Sequence, residues 1–183
     1  MGRQIAQLVH SVDDLLDTAR VATGNLKLRK KRVDVLEVLE QSVKTCMPLF
    51  SAAGQTWTVQ VARNTFFVAA DPLRLTQVFA NILSNATKYT PVGGHISVSA
   101  VRAGPDSMAS VQDAGIGIPT DFLSTIFEMF TQVPKELSAV QGGLGIGFAF
   151  VRQLVELHGG SVVAQSKGLG EGSTFTVRLP LAA

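Results

Sequence analysis

Two asparagines and a lysine are spaced by single helical turns in the segment FANILSNATKYTP. Asn81 and Asn85 are four residues apart and Lys88 follows three residues later, so a helix places all three side chains near one face. Amide oxygens suit Mg²⁺ or its bound waters, and an ammonium group attracts the anion that accompanies such a cation. The segment therefore predicts a site for a divalent cation and its anion. The alternative is a helix whose polar side chains simply face solvent.

The stretch VQDAGIGIP places a carboxylate, Asp113, at the end of a predicted strand. A carboxylate there can accept a hydrogen bond from a flat amine such as the exocyclic amine of adenine. Gly115 and Gly117 follow it and permit a close approach to the backbone. The alternative is a turn in which Asp113 accepts a hydrogen bond from its own backbone.

A glycine-rich segment, GGLGIG at Gly142 to Gly147, leads directly into a predicted helix. The free N–H groups and the dipole at a helix N-terminus favour anions, so this segment is a candidate phosphate cradle. No lysine follows its last glycine, and it follows a long loop instead of a strand. It therefore matches neither the P-loop nor the dinucleotide fingerprint.

Three helices and several strands must position these groups. Asp34 is the predicted N-cap of the first helix, and Asp71 caps the second with Pro72 at its first position. The third runs from about Leu144 to His158. Leu36, Leu39, Val43, Cys46 and Phe50 are predicted to be buried on the first helix, and Leu73, Val78, Ile82 and Leu83 on the second. Strands are predicted at NLKLRKKRVDV, TWTVQVAR, TFFVAA, HISVSAVR, SMASVQD, SVVAQSK and STFTVRLP. This order predicts an α+β fold, a two-layer α/β sandwich with helices on one face of a mixed sheet.

The first 25 residues have a different pattern. Apolar residues recur at alternating steps of three and four from Ile5 to Ala22, which is a heptad seam. Gly24 and Asn25 end the predicted helix. A coiled-coil-like helix therefore precedes the sandwich, and its apolar stripe needs another helix to pack against.

The composition excludes several classes of protein. Of 183 residues, 46% are hydrophobic and 16% charged, which indicates a folded core and not a disordered chain. The dense basic run KLRKKR has no interleaved aromatic residues, so we expect a solvated strand or loop and no nucleic-acid partner. A single cysteine, Cys46, excludes an intrachain disulfide and fits a reducing compartment. No apolar run of the roughly 18 residues that a membrane span needs is present. We expect a cytoplasmic location, and a membrane anchor elsewhere in a longer parent chain is left open.

Taken in order, these segments resemble the ATP-binding domain of bacterial sensor histidine kinases, in the superfamily shared with gyrase and MutL-type ATPases. The similar motifs are the N box at DPLRLTQVFANILSNATKYTPVGG, the first glycine box at DAGIG, the phenylalanine box at IFEMF, the second glycine box at GGLGIGFAFVRQLVELHGG, and the closing motif GEGSTFTVRLP. The resemblance implies a histidine protein kinase of a two-component system, with ATP and Mg²⁺ as cofactors.

The resemblance also implies roles for individual residues. Asn85 is the expected Mg²⁺ ligand with Asn81 beside it, Lys88 approaches the phosphates, and Tyr89 lies against the adenine. Asp113 accepts from the adenine amine, and Ser173 helps to anchor the base through water. The other residues expected at the nucleotide are Gly115 and Gly117, which admit the base, and Gly143, Leu144, Gly145 and Gly147, which belong to the lid hinge and phosphate cradle. Phe127, Phe130, Leu144 and Ile146 have packing at the base of the lid as their alternative role.

The N-terminal helix resembles the second helix of the family's dimerisation and histidine-phosphotransfer hairpin. The implied domains are residues 1–25, a partial hairpin, and 26–183, the ATP-binding domain. His10, His95 and His158 all lack the sequence context of the acceptor histidine; His158 ends a helix, where a positive charge suits the dipole. The chain is thus expected to donate the γ-phosphate to a histidine that it does not contain. A response-regulator aspartate then receives the phosphate, and the parent protein is a homodimer.

Some positions depart from the family pattern. Ala139 stands where relatives often have a lid arginine, Lys135 is the remaining lid cation, and Phe148 and Phe150 replace leucine-like residues. These departures leave open an alternative function, a degenerate, non-catalytic nucleotide-binding or dimerisation module. A gyrase-like free-standing ATPase is disfavoured because the N-box helix offers Asn81 and Ser84 where those enzymes have a glutamate.

Overall fold

The computed structural model describes residues 26–61, 66–133 and 145–182. The predicted N-terminal helix, its histidine His10, and the loop residues Lys135, Ala139, Gly143 and Leu144 lie outside these ranges. The predicted domain division after residue 25 therefore stays a prediction.

A five-stranded mixed sheet forms one layer of the fold. Its strand order is β2-β4-β5-β7-β6, with β2 parallel to β4 and the other neighbours antiparallel. The bounds are Thr56–Val61 for β2, His95–Ala103 for β4, Asp106–Asp113 for β5, Ser161–Gln165 for β6 and Ser173–Pro180 for β7.

Burial alternates along these strands and identifies the covered face. Ile96, Val98 and Ala100 of β4 are fully buried, whereas Ser97 and Ser99 between them are not. The buried positions pack with the helices in one apolar core. The predicted sandwich, with helices on one face of a mixed sheet, is confirmed.

Two further strands form a separate sheet, which differs from the single sheet predicted. Strand β1, Lys31–Asp34, pairs antiparallel with β3, Phe67–Ala70. Each strand is four residues long and runs straight into a capped helix, because Asp34 and Asp71 begin helices at once. The small sheet still contacts the main one, because Val68 of β3 forms an antiparallel bridge with Leu181, just after β7.

Asp34 and Asp71 cap the first two of the three helices, as predicted. The helices are α1, Val35–Ala52, α2, Pro72–Tyr89, and α3, Gly147–Leu157. Asp34 Oδ1 accepts a hydrogen bond from Leu36 N at 2.9 Å, and Asp71 Oδ1 accepts from Leu73 N at 3.1 Å. Helix α3 begins later than the predicted Leu144.

Helix burial follows the predicted faces with two exceptions. Leu73 is 73% exposed, so its predicted burial is wrong. It is the second residue of α2. Leu36 is only partly buried, and Val35 and Val38 take its place in the core.

The core joins all three helices to the sheet. Phe50 of α1, Phe79 of α2 and Phe150 of α3 have almost no exposed surface. Burying a side chain of this size stabilises the fold by about 1.5–3 kcal/mol. Helix α2 contacts both α1 and α3, so it is the central helix of the layer. Within the described ranges, no helix is both long and apolar enough to cross a membrane.

Candidate functional site

Asp113 is the last residue of β5 and lies on the covered face of the sheet, directly opposite Ser173 of β7. Its Oδ1 accepts a hydrogen bond from Gly115 N at 2.9 Å, and its Oδ2 accepts one from Ser173 Oγ at 2.5 Å. The side chain is 6% exposed. Burial raises the pKa of Asp113 above its ordinary value, outweighing its hydrogen bonds to Ser173 and Gly115, which act in the opposite direction. Asp113 thus makes the local turn that the sequence suggested, and it is also a buried carboxylate held by a second strand.

The two glycines after Asp113 allow the chain to pack against itself. A Cβ on Gly115 would lie 2.6 Å from the carbonyl oxygen of Tyr89, and one on Gly117 would lie 2.0 Å from that of Gly168. Gly117 also has a φ of +74°, which L side chains rarely adopt. Close packing against the backbone of Tyr89 and Gly168 therefore explains why both positions are glycine. Their predicted role in admitting a base stays a prediction.

The C-terminal turns of α2 carry the predicted cation and phosphate residues. Asn85 Nδ2 donates to the carbonyl oxygen of Asn81 at 3.0 Å. No hydrogen bond to Asn85 Oδ1 occurs among the described residues, so this oxygen is available to a ligand. Asn81 Nδ2 is buried without a partner in the same part of the chain.

The side-chain oxygen of Asn85 suits Mg²⁺. The ion usually retains several waters and binds a few protein oxygens together with substrate phosphates. Among the described residues, no group of three or more His, Cys, Asp or Glu side chains could hold a metal by itself. One amide oxygen near the predicted phosphate cradle fits such sparse coordination.

Lys88 and Tyr89 lie next to these amides. Lys88 Nζ is 5.1 Å from the centroid of the Tyr89 ring, a cation–π distance. Burial lowers the pKa of Lys88 and raises the pKa of Tyr89. The Tyr89 carbonyl accepts a hydrogen bond from Ile116 N at 3.0 Å, which joins the end of α2 to the stretch after Asp113.

Helix α3 begins against α2 and the phenylalanine box. A Cβ on Gly147, its first residue, would lie 2.7 Å from Asn81 Oδ1. The carbonyl of Gly145 accepts a hydrogen bond from Phe130 N at 2.8 Å. The structure thus gathers Asn81, Asn85, Gly147 and the Gly115–Gly117 stretch around the end of α2, and it places Gly145 beside the phenylalanine box. The predicted residues Gly143 and Leu144 lie outside the described ranges.

Aromatic packing supports this junction. Phe148 stacks on Phe175 of β7 with centroids 4.5 Å apart, and Phe127 contacts both rings edge-on. The predicted packing role of Phe127 is confirmed, and Ile146 is likewise buried. Phe130 differs: its side chain is 66% exposed, with a φ of +64°. The Phe130 ring is therefore largely exposed, contrary to its predicted packing role.

His158 contradicts the expectation of a positive charge at the end of its helix. It is 5% exposed; Nε2 accepts a hydrogen bond from Asp71 N at 3.1 Å, and Nδ1 lies 2.7 Å from the Leu154 carbonyl. Because Nε2 accepts, it carries no proton and the ring is neutral. Burial lowers the pKa of His158, with the charge of Lys30 acting in the same direction.

Two residues of this region were not singled out from the sequence. Gln55 is buried, and its Nε2 donates to the carbonyls of Thr87 and Thr90 at 2.9 and 2.6 Å, which satisfies the end of α2. Ser166, after β6, accepts from Ile118 N at 3.0 Å and lies 2.7 Å from the Gly172 carbonyl. Neither has a sequence signal, because both bond to backbone that is distant in the chain.

Comparisons with known proteins agree with this geometry. Residues 70–183 match the family model described as histidine kinase-, DNA gyrase B-, and HSP90-like ATPase. The chain is 34% identical over 174 residues to the sensor protein DivL of Caulobacter vibrioides, covering 95% of this chain and 22% of that protein. It is 33% identical over 176 residues to the circadian input-output histidine kinase CikA of Synechococcus elongatus, covering 94% and 23%. The chain thus spans less than a quarter of the length of these two relatives.

Solved structures of histidine kinases have the same fold. Full-length ShkA, solved in complex with AMPPNP, matches with a TM-score of 0.84 and 30% identity over 96% of this chain and 36% of that one. The mycobacterial sensor histidine kinase MprB matches with a TM-score of 0.73 and 27% identity over 83% of this chain and 97% of that one.

Proposed function

Because this chain belongs to the histidine kinase-, DNA gyrase B-, and HSP90-like ATPase family and its relatives are sensor histidine kinases, we propose that it binds Mg²⁺-ATP and donates the γ-phosphate to a histidine. The observation that carries the proposal is the junction around the end of α2. There, Tyr89 bonds to the stretch after Asp113, and Asn81 lies against the first residue of α3. One ligand can therefore reach the buried carboxylate, the amides and the helix N-terminus together.

Asp113 and Ser173 bind the adenine end of the nucleotide. The carboxylate is held in one orientation by Gly115 N and Ser173 Oγ, so accepting a further hydrogen bond requires no reorganisation. Tyr89 lies beside this stretch and provides an aromatic surface for the base. The assignment of these three residues to adenine is a proposal that their burial and mutual contacts support.

Asn85, Lys88 and the start of α3 bind the phosphate end. Asn85 Oδ1 holds the Mg²⁺ ion, with Asn81 fixing the Asn85 amide through its carbonyl. When bound, the ion neutralises charge that develops on the phosphates. Lys88 adds positive charge, and the free N–H groups at the N-terminus of α3 donate hydrogen bonds to phosphate oxygens.

Transfer then depends on positioning, because phosphoryl transfer needs little covalent chemistry from the protein. The γ-phosphorus–oxygen bond to ADP breaks as a bond forms to an imidazole nitrogen of the acceptor histidine. Of the histidines described, His158 is buried and His95 lies on the opposite face of the sheet, bonded to Thr56 and Thr58. His10 lacks the sequence context of an acceptor histidine, so the proposed acceptor lies on another helix of the parent protein. The parent protein is proposed to be a homodimer. A response-regulator aspartate receives the phosphate from the acceptor.

Calorimetric titration with ATP, with and without Mg²⁺, tests the proposal. We expect binding that Mg²⁺ strengthens, and we expect Asn85→Ala to weaken Mg²⁺-ATP binding by about tenfold or more. Gln77→Ala, two turns earlier on the same helix, is the matched control and should bind as the wild type does. Absence of heat at millimolar nucleotide would favour a non-catalytic module.

Incubation with γ-labelled ATP tests the source of the acceptor. We expect no stable label on this chain, because it lacks the acceptor histidine. Stable label that is lost in His10→Gln would show that the chain phosphorylates itself and would contradict this part of the proposal.

A further inference from the structure

Ser166 connects two loops that meet beside the proposed adenine end. Its hydroxyl lies 2.7 Å from the Gly172 carbonyl and 3.2 Å from the Gly168 carbonyl, and it donates to the nearer one. It accepts from Ile118 N at 3.0 Å and Gly168 N at 3.2 Å. A hydroxyl has one donor and two acceptor positions, so these three hydrogen bonds use its full capacity. One side chain thus ties the β6–β7 loop to the stretch that follows Asp113.

The β6–β7 loop has high conformational freedom by itself. Its sequence, SKGLGEG, contains three glycines, which have more conformational freedom to lose than other residues. Its backbone still bonds closely to the neighbouring stretch: Gly170 N donates to Ile116 O at 2.7 Å, and Gly172 N donates to Gly115 O at 3.1 Å. A fixed anchor at the start of the loop lowers the cost of ordering it for these contacts.

The position of the β6–β7 loop affects the orientation of the Asp113 carboxylate. Gly172 immediately precedes Ser173, whose hydroxyl donates to Asp113 Oδ2. Gly172 is also tightly placed, since a Cβ on it would lie 2.1 Å from the Asp113 carbonyl oxygen. A shift of the Gly172 carbonyl therefore moves Ser173 and the carboxylate that it orients.

We propose that Ser166 is a positioning residue for base selection: its hydroxyl holds the β6–β7 loop so that Ser173 and Asp113 recognise the exocyclic amine of adenine. The proposal rests on the proposed function, because it assigns Asp113 to that amine. Ser166 itself acts through Gly172 and Ile118.

Binding of ATP and ITP to Ser166→Ala tests this role, because ITP has a carbonyl where ATP has the amine. We expect ATP affinity to fall about tenfold, while ITP affinity changes by less than about twofold, so that selectivity for ATP falls. Ser166→Cys keeps the shape but forms weaker hydrogen bonds, and its selectivity should lie between those of serine and alanine. Ser110→Ala is the control: it removes one hydroxyl of β5 that bonds to Thr176 on the uncovered face, and it should leave selectivity unchanged.

The outcomes separate the two proposals. Failure of the wild-type chain to bind ATP overturns the proposed function. Wild-type binding with preference for ATP, together with an unchanged ratio of ATP to ITP affinity in Ser166→Ala and Ser166→Cys, overturns the role of Ser166. An equal loss for both nucleotides also overturns it, because a merely structural effect does not depend on the base. If Ser166→Ala melts below the assay temperature, the cysteine variant decides the ratio.

Discussion

Individual side chains near the proposed site are held by backbone groups more than by other side chains. Asp113 and Asn85 each bond to a main-chain group within four residues, and Ser166 bonds to the N–H of Ile118, which is distant in the chain. A main-chain partner does not depend on the type of residue that carries it. A substitution at Asp113, Asn85 or Ser166 therefore removes only the side-chain half of the hydrogen bond. Single substitutions at these positions are therefore informative.

Asp113→Asn is expected to weaken ATP binding by about tenfold to a hundredfold. The amide group replaces one acceptor oxygen by a donor. If that donor faces Gly115 N, the hydrogen bond to Gly115 is lost; if it faces Ser173 Oγ, the hydroxyl has to accept instead of donate. Calorimetric titration measures the change. Asp106→Asn, at the other end of β5 and 3.7 Å from Arg178, is the control and should bind ATP normally. Equal affinity in both variants would remove Asp113 from the nucleotide site.

His158 predicts a dependence of stability on pH. Burial lowers the pKa of His158 below its ordinary value of 6.5, so the unfolded chain takes up the proton first as the pH falls. The stability present above pH 6.5 is therefore lost as the pH falls through the folded-state pKa. Urea unfolding at pH 7.5 and 5.5 should show a larger loss for the wild type than for His158→Gln, which can bond to both Asp71 N and the Leu154 carbonyl.

The matched control for this experiment is His95→Gln. His95 lies on the uncovered face of the sheet, and the variant retains His158, so it should lose as much stability on acidification as the wild type does. An identical pH dependence in His158→Gln and the wild type would show that His158 does not control this loss.

The start of α2 is hydrogen-bonded to two other segments of the chain. Asp71 caps this helix through Leu73 N and Arg74 N, and its Oδ2 also accepts from Arg29 N at 2.9 Å. Asp71 N in turn donates to His158 at the end of α3. The start of α2 therefore holds the segment that enters the domain and the end of the third helix, whereas the other end of α2 carries the proposed site.

The two N-cap residues should consequently differ in their contribution to stability. Asp34→Ala removes one hydrogen bond, to Leu36 N, and should cost about 1 kcal/mol of unfolding free energy. Asp71→Ala removes three and should cost about 2 kcal/mol or more. Urea denaturation of both variants at neutral pH measures the difference. Equal costs would show that the bond to Arg29 and the second bond within the helix contribute nothing.

The chain as a whole gathers its proposed nucleotide residues between positions 81 and 173, and the family match begins at residue 70. A chain of residues 26–183 should therefore fold and bind ATP within about twofold of the full chain, because distant segments contribute independently. Calorimetry on the two chains compares them directly. A tenfold weaker affinity in the shorter chain would mean that residues 1–25 contribute to nucleotide binding.

The order of elements and the main face of each helix could be predicted from the sequence. Capping by Asp34 and Asp71, the position of Pro72, the alternation in β4 and β5, and the glycines after α3 are local effects, so a single sequence contains them. The family motifs could also be read directly, because their residues are contiguous. The burial of Leu73 and Phe130 was predicted wrongly, because the exposure of a side chain depends on which other elements pack against it.

Only the tertiary structure decided which distant groups meet. The sequence by itself placed a carboxylate, two amides and a glycine-rich segment in one chain, and it determined the elements that carry them. It contained no signal for the bond between Asp113 and Ser173, the neutral ring of His158, or the two loops joined by Ser166. These contacts link residues that are 48 to 87 positions apart, and backbone atoms form many of them. A backbone N–H or carbonyl has the same chemistry at every residue, so its partner is determined only when the folded chain brings the two together.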